Sequence, residues 1–453
     1  MKAFNISVIG LGKLGAPLAI ALAYRGMNVI GVDKREDVVK SLNNKVPHIY
    51  EPEFEKLLKS PNINFEATKD FQHAITNTDI TMIVVNTPSN DDGSYSLEQV
   101  FVAGKNIAEA LKLKDDYHLI ALTSTVMPGD TIKLKNLIEE ISGKVAGKDF
   151  GICYNPEFIA LGSVIRDFLN PDFVLIGEYD KRSGDILEEM YKLVCLNNPP
   201  IMRMNIINAE IAKIALNSYI TMKMTFANFL AELCERYEGA DVDVITRAIG
   251  TDSRIGVKYF KGGPSYGGPC FPRDNRAVAL VAERAKVNSS LPKLIDSLNR
   301  HYTERIAEII NQNLKENSTV TILGLTYKPN TNIIEESVIY LAKNANLREK
   351  FGSNAKIKIH TKYHPKDTTE KMIALYEKII KNERIDNNLS LTSINNEFKE
   401  KCHNVFDRGI KYAFYYYTTY YQMRVVNVGG HIKAIKKIVE SSSQKIMKLI
   451  YHG

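Results

Sequence analysis

Residues 6–26 read ISVIGLGKLGAPLAIALAYRG, and the fold follows from how this stretch is punctuated. A short apolar run, Ile6 to Ile9, ends at Gly10-Leu11-Gly12-Lys13-Leu14-Gly15; a helix-forming segment, Ala16 to Arg25, follows, and Gly26 can cap it. Strand, GxGxxG and helix in that order make the phosphate-binding turn of a dinucleotide site. Glycine serves the tight turn, the close approach of backbone to a pyrophosphate and the packing of helix on strand, with the phosphates at the helix N-terminus. Asp33 ends the next strand pattern, Val29 to Val32. A carboxylate there accepts the adenosine ribose hydroxyls and repels a 2′-phosphate, which favours NAD over NADP; Lys34 and Arg35 soften that preference.

Outward from this turn, residues 3–200 alternate apolar runs with amphipathic helical stretches, the pattern of a Rossmann-type, doubly wound parallel sheet in an α/β protein. The predicted strands are Ile6 to Ile9, Val29 to Val32, Ile80 to Val85, Leu119 to Leu122, Gly151 to Tyr154 and Phe173 to Ile176. Three polar segments follow strands: Asn86-Thr87-Pro88, Ser124-Thr125-Val126 and Asn155-Pro156-Glu157. Ligands of open parallel sheets sit at the carboxyl ends of strands, so Thr87, Ser124 and Thr125 are expected on the nicotinamide side of the crevice. Residues 208 to about 235 contain neither proline nor glycine and are apolar around most of the circumference, which predicts one long helix that buries against another subunit. After Asn317 the run TVTILGL opens a second α/β unit. The expected division is an NAD-binding domain over 1–200, a central helical dimerisation domain over 201–310, and a smaller C-terminal nucleotide-binding α/β unit over 311–453, atypical after about 365.

The formal charge of +7 invites a nucleic-acid reading until it is divided along the chain. Residues 341–453 hold 21 Lys+Arg against 10 Asp+Glu, so the body is slightly acidic and the basicity belongs to the tail. That tail also carries a tyrosine cluster (Tyr412, Tyr415, Tyr416, Tyr417, Tyr420, Tyr421), which reads as a helix or strand face rather than a nucleic-acid module. No apolar run reaches membrane-spanning length and the start has no leader pattern, so the expected location is the cytoplasm, without a membrane partner. The five cysteines are scattered, and His360 and His364 are four apart but His364 precedes a proline in a strand-like context, so neither a disulfide framework nor a metal site is expected.

The chemistry points to residues 262–274, GGPSYGGPCFPRD. Glycine and proline hold an irregular loop, Pro272 suits a first helical turn, and Cys270 falls at the helix N-terminus beside Arg273, a setting expected to lower a thiol pKa. Lys213 and Asn217, four apart, share one face of the long helix within apolar text, and a structural hydrogen-bond pair is the alternative to a functional one.

Eight strings in order, GLGKLGAPLA, VNTPSNDDGSYSL, TSTVMPGDT, CYNPEFIALGSVI, AEIAKIALNSYITMKMTF, GTDSRIG, GGPSYGGPCFPRD and LGLTYKPNT, resemble the UDP-glucose/GDP-mannose dehydrogenase family over roughly residues 3–340. The resemblance implies a four-electron oxidation with two NAD, in which Cys270 traps an aldehyde, carries it to a thioester and releases a carboxylate. By position it implies Glu157 as acid/base of the hydrolytic half, Lys213 and Asn217 as oxyanion or proton-handling groups, and Asp274 as the group that organises water. It implies sugar-nucleotide contacts at Glu157, Phe158, Lys213, Asn217, Arg254 (donated across a dimer), Tyr259, Gly267, Tyr327 and Lys328. The Tyr-Gly-Gly-x-Cys-Phe-Pro string looks more like the UDP-glucose branch, with UDP-glucuronate as product, than the UDP-N-acetylhexosamine branch, which tends to carry His before Cys-Ile-Pro.

Two departures stand out. Leu161 replaces an acid, and Glu335 replaces an arginine, at positions that approach NAD in the family. IKIHTKYHP, residues 357–365, replaces a strand end followed by Asp-Pro, and little beyond it follows the family pattern.

Overall fold

The computed structural model describes residues 3–313 and three further strand segments, Ile322–Leu323, Tyr412–Tyr417 and Gln422–Asn427. The expectations for Tyr327, Lys328, Glu335 and the tail other than these strands lie outside the described residues.

Eight strands form the main sheet: β1 Asn5–Ile9, β2 Asn28–Val32, β3 Asn64–Thr68, β4 Ile80–Ile83, β5 His118–Leu122, β6 Phe150–Tyr154, β7 Val174–Glu178 and β8 Ile201–Asn205, in the order β3-β2-β1-β4-β5-β6-β7-β8. The sequence expectation of an α/β doubly wound sheet holds, with one correction: β7 runs antiparallel to β6, and β8 pairs parallel with β7. All six strands expected from the sequence form. The two missed, β3 and β8, lie at the sheet edges, where side chains are partly exposed and no apolar run marks them.

The central strands β4, β5 and β6 are buried along their whole length, as a parallel sheet covered on both faces requires. Their side chains divide by the two-residue period. Ile6, Val8, Ile80, Met82, Leu119 and Ala121 enter the core on one face, and Ile9, Ile83, Ile120 and Leu122 that on the other. The helix Gly15–Tyr24 packs nearly every residue into the first of these cores.

A polar chain crosses this apolar centre near the starts of the strands. Ser7 Oγ and Thr81 Oγ1 are 2.6 Å apart, Thr81 Oγ1 meets His118 Nε2 at 2.6 Å, and Lys114 Nζ lies 3.0 Å from His118 Nδ1. Burial, reinforced by the Lys114 charge, pushes the His118 pKa down to about 3.

The chain divides into two compact units, Met1–Met222 with Pro269–Ser297, and Lys223–Gly268 with the chain from Leu298 onward. The division falls inside the long helix, Ile206–Cys234, two residues ahead of the expected start. The second unit carries the helix Val242–Gly250 and the three-stranded sheet β11-β10-β9, with β9 Ile322–Leu323 parallel to β10 Tyr412–Tyr417 and β10 antiparallel to β11 Gln422–Asn427. Of the tyrosine cluster, Tyr412 to Tyr417 is therefore a strand, and Tyr420 and Tyr421 lie outside the described residues.

His118 yields a prediction. Its folded pKa lies below the unfolded value of about 6.5, so between pH 6.5 and 3 the unfolded chain binds the extra proton. Stability from this group is complete above that window and is lost as pH falls, by up to about 1.4 kcal/mol per pH unit. His118→Gln is expected to lower the thermal midpoint at neutral pH but to flatten its decline between about pH 6 and 4, measured by circular dichroism.

Candidate active site

The glycine turn has the geometry of a phosphate cradle. A Cβ on Gly10 would lie 2.5 Å from the Val84 carbonyl oxygen, and one on Gly15 would lie 1.9 Å from that of Gly10, so neither position admits a side chain. Gly10 also has φ +96°, in the left-handed region. Gly12 has nothing within 4 Å of its Cβ direction, which leaves open space beside the turn. This cradle fits a dinucleotide pyrophosphate. Lys13 is exposed on the turn. Asp33 uses Oδ2 to accept from Leu11 N at 3.0 Å and Oδ1 to accept from Arg35 N at 2.9 Å, so it braces the turn beside any part it plays in ribose recognition. Thr87 Oγ1 donates to Thr125 O at 2.8 Å, and Ser124 Oγ accepts from Val85 N and donates to Val85 O, which fixes the loops leaving β4 and β5.

The first unit also gathers the expected catalytic residues. Cys270 is the N-cap of the helix Phe271–Arg284, with Pro272 in its first turn, and its carbonyl accepts from Asp274 N at 2.9 Å. Asp274 is fully buried. Its Oδ1 accepts from Tyr95 Oη at 2.7 Å and Arg273 Nε at 3.3 Å, and its Oδ2 accepts from Asn217 Nδ2 at 2.6 Å. Arg273 lies 4.7 Å above the Tyr95 ring and donates to Thr87 O at 3.3 Å. One carboxylate thus ties the loop after β4, the long helix and the cysteine helix together.

One turn earlier on the long helix, Lys213 donates to the main-chain oxygen of Glu157 at 2.6 Å and sits 4.5 Å over the Phe158 ring. Lys213 and Asn217 do not pair with each other; each reaches a different element. The Glu157 carboxylate lies 2.8 Å from Tyr191 Oη. Burial pushes the Glu157 pKa up to about 7, against the lowering effect of Tyr191 and Lys213, and burial lowers that of Lys213.

The thiol departs from expectation. Cys270 keeps solvent access as a residue, yet the protein packed round its sulfur and the Asp274 carboxylate raise its pKa, and the charges of Arg273 and Lys213 offset only part of that rise. Helix N-terminus and adjacent arginine are present as the sequence indicates; desolvation outweighs them.

In the second unit, Lys223 Nζ donates to the carbonyls of Ile255, Gly256 and Lys258 at 2.9, 3.1 and 2.8 Å, fixing the loop between Arg254 and Tyr259. Arg254 is exposed and paired with Asp252 at 2.6 Å, and Tyr259 adopts φ +59°. Asn228 holds Gly263 N and Pro264 O, and Asn299 holds both backbone groups of Tyr266, immediately before Gly267. Tyr95, Tyr191, Lys223, Asn228 and Asn299 were missed as site residues in the sequence. Tyr95 and Asn228 fall in or beside strings already singled out, but a side chain that clamps a distant backbone leaves no periodic signal.

Residues 4–195 match the NAD binding domain of the UDP-glucose/GDP-mannose dehydrogenase family, and residues 207–301 match its central domain. The chain belongs to this family. It is 35% identical to the UDP-glucose 6-dehydrogenase AglM of Haloferax volcanii over 74% of this chain and 78% of that protein. It is 34% identical to a GDP-mannose 6-dehydrogenase of Pseudomonas syringae over 74% of this chain and 76% of the other. Its fold matches a UDP-glucose dehydrogenase from Pyrobaculum islandicum with a TM-score of 0.71 at 29% identity, covering 83% of this chain and 88% of that one. This family member is an NAD-dependent oxidoreductase, and the glycine cradle fits that cofactor. Among the described residues no helix is long and apolar enough to cross a membrane, and no His/Cys/Asp/Glu group is placed to hold a metal.

The raised thiol pKa can be read directly. Iodoacetamide labelling of Cys270, followed by peptide mass spectrometry, is expected to be slow at neutral pH and to rise about tenfold per pH unit to above pH 9, since only the thiolate reacts. Cys153 and Cys195, both buried and pushed up further, are expected to stay unlabelled in the folded protein. A plateau below pH 8 at Cys270 would contradict the assignment.

Proposed function

We propose that this protein oxidises the C6 alcohol of UDP-glucose to the carboxylate of UDP-glucuronate, with Cys270 as covalent nucleophile. The observation that carries the reading is the placement of Cys270 at the head of a helix whose buried Asp274 holds Asn217, with Lys213 and Glu157 alongside. NAD, when bound, supplies the hydride acceptor for each of two oxidations. Cys270 Sγ adds to the aldehyde carbon as the thiol proton leaves, giving a thiohemiacetal; loss of hydride gives a thioester, and water then releases the acid and the thiol. Lys213 and Asn217 donate toward the oxygen that becomes negative, and Asp274 keeps Asn217 turned the right way. Glu157 handles the proton of the hydrolytic water.

The preference for UDP-glucose rests on the Tyr-Gly-Gly-x-Cys-Phe-Pro string; relatives named for UDP-glucose and for GDP-mannose match almost equally well. Full-length protein with NAD is expected to form two NADH per UDP-glucose, with kcat/KM roughly tenfold or more above that for GDP-mannose. Cys270→Ala is expected to abolish acid formation. A reversed preference would make GDP-mannose the substrate, and full activity in Cys270→Ala would favour a two-electron hydroxyacid dehydrogenase. Absence of turnover with every sugar nucleotide would leave a non-enzymatic NAD-binding scaffold, the reading that Leu161, Glu335 and the tail favour.

A second copy of the chain is the proposed partner of the long helix. Ile207, Ile211, Tyr219, Phe226, Phe229 and Leu233 recur every three to four residues or at twice that interval, and all are exposed, leaving an apolar stripe along one side. Light scattering is expected to give a dimer or a multiple of it, and Tyr219→Glu with Phe226→Glu is expected to shift the mass toward the monomer. A monomeric wild-type chain would overturn this. The working location proposed is the cytoplasm.

A further inference from the structure

The phenol of Tyr191, on the helix Lys181–Val194, stands between two acceptors, Asn155 Oδ1 at 2.7 Å and Glu157 Oε1 at 2.8 Å. The Asn155 amide is fixed from its far side: Nδ2 reaches the carbonyl of Leu175 at 3.0 Å, and a carbonyl only accepts, so Oδ1 must be the atom facing Tyr191. Asn155 and Tyr191 are 1% and 2% exposed, so neither oxygen is exchanged freely for water.

Three oxygens in a row make two contacts, and two contacts need two protons. The phenol brings one. With Glu157 ionised, Tyr191 satisfies one neighbour and leaves the other contact as two facing lone pairs. With Glu157 protonated, its hydroxyl donates to Tyr191 Oη, Tyr191 donates on to Asn155 Oδ1, and every contact in the row is filled. We propose that Asn155 and Tyr191 are positioning residues that keep Glu157 a neutral carboxylic acid in the resting protein, with the Tyr191 proton committed to Asn155.

Burial of the carboxyl favours the same neutral form, whereas a Tyr191 hydroxyl turned to Glu157 lowers its pKa, and Asn155 Oδ1 is the acceptor that competes for that proton. Among the described residues, the titratable groups facing Glu157 are Tyr191 and Cys195 from the helix Lys181–Val194 and its end, and Lys213 from the long helix. Lys213 bonds to the main-chain oxygen of Glu157 and not to its carboxylate, and its charge does not overcome the burial that carries the carboxyl pKa to about 7. As a statement about catalysis the inference rests on the dehydrogenase reading above: Glu157 must lose its proton to solvent before it can accept one from water at the thioester, so hydrolysis quickens as pH rises through that midpoint.

The test needs no turnover. Infrared titration of the full-length protein, without cofactor or sugar, reads the carbonyl band of a neutral carboxyl, assigned to Glu157 by its loss in Glu157→Gln. The band is expected at about pH 6 and is expected to vanish with a midpoint near 7. Asn155→Ala removes the competing acceptor and frees the phenol proton for the carboxylate, so the midpoint is expected to fall by about one pH unit. Ionised Glu157 throughout, or an unmoved midpoint in a folded Asn155→Ala, overturns the proposal; if that variant does not fold, the wild-type titration decides. A band that titrates as expected in a protein without sugar-nucleotide turnover would overturn the dehydrogenase reading and leave this one standing.

Discussion

A carboxylate with no access to water, Asp274, is the constraint on which the candidate site depends. Burying a charge carries a large desolvation penalty, which only close, well-aligned donors offset. Here the donors come from three parts of the chain: Tyr95 from the segment after β4, Asn217 from the long helix, and Arg273 from the adjoining position. Losing any one leaves the buried carboxylate short of a donor, and loss of the charged partner, Arg273, is the kind of defect that typically costs about 3–5 kcal/mol. The elements that carry the cysteine, the amide and the loop after β4 are therefore held together by the same electrostatic requirement.

That requirement also accounts for the thiol. A carboxylate close enough to fix Asn217 is close enough to oppose a thiolate, so the group that orders the site raises the pKa of its nucleophile. Arg273 and Lys213 counter the effect only in part. Glu157 and Cys270 are shifted in the same direction, both toward the neutral form, by separate environments that share burial as the dominant cause.

How much of this was legible beforehand follows the range of each signal. The glycine turn, six strands and the long helix are written in local periodicity, and the structure places them within a few residues of the expected bounds. Cys270, Asp274, Lys213, Asn217 and Glu157 were singled out because they stand in dense, ordered strings, and the first unit places them near one another. What escaped was pairwise and long-range. The reversal of β7 has no signature in its own residues; the edge strands lack apolar runs; and Tyr191 looks like one more apolar-face residue of an amphipathic helix until Asn155 and Glu157 are seen on either side of its hydroxyl. The thiol shift escaped for a related reason: a helix terminus and an arginine can be read from sequence, whereas the protein mass around a sulfur cannot.

Asp33 shows how one residue can tie recognition to architecture. Its carboxylate accepts from the backbone of Leu11 inside the glycine turn, so the group that would discriminate between the two adenine dinucleotides also holds the loop that receives their phosphates. Exchanging cofactor preference by replacing Asp33 with a small or basic residue would release that backbone donor as well as the ribose contact. On the expected ribose-reading role of Asp33, coenzyme choice and the shape of the glycine turn would be inherited together, and a redesign of one would have to rebuild the other.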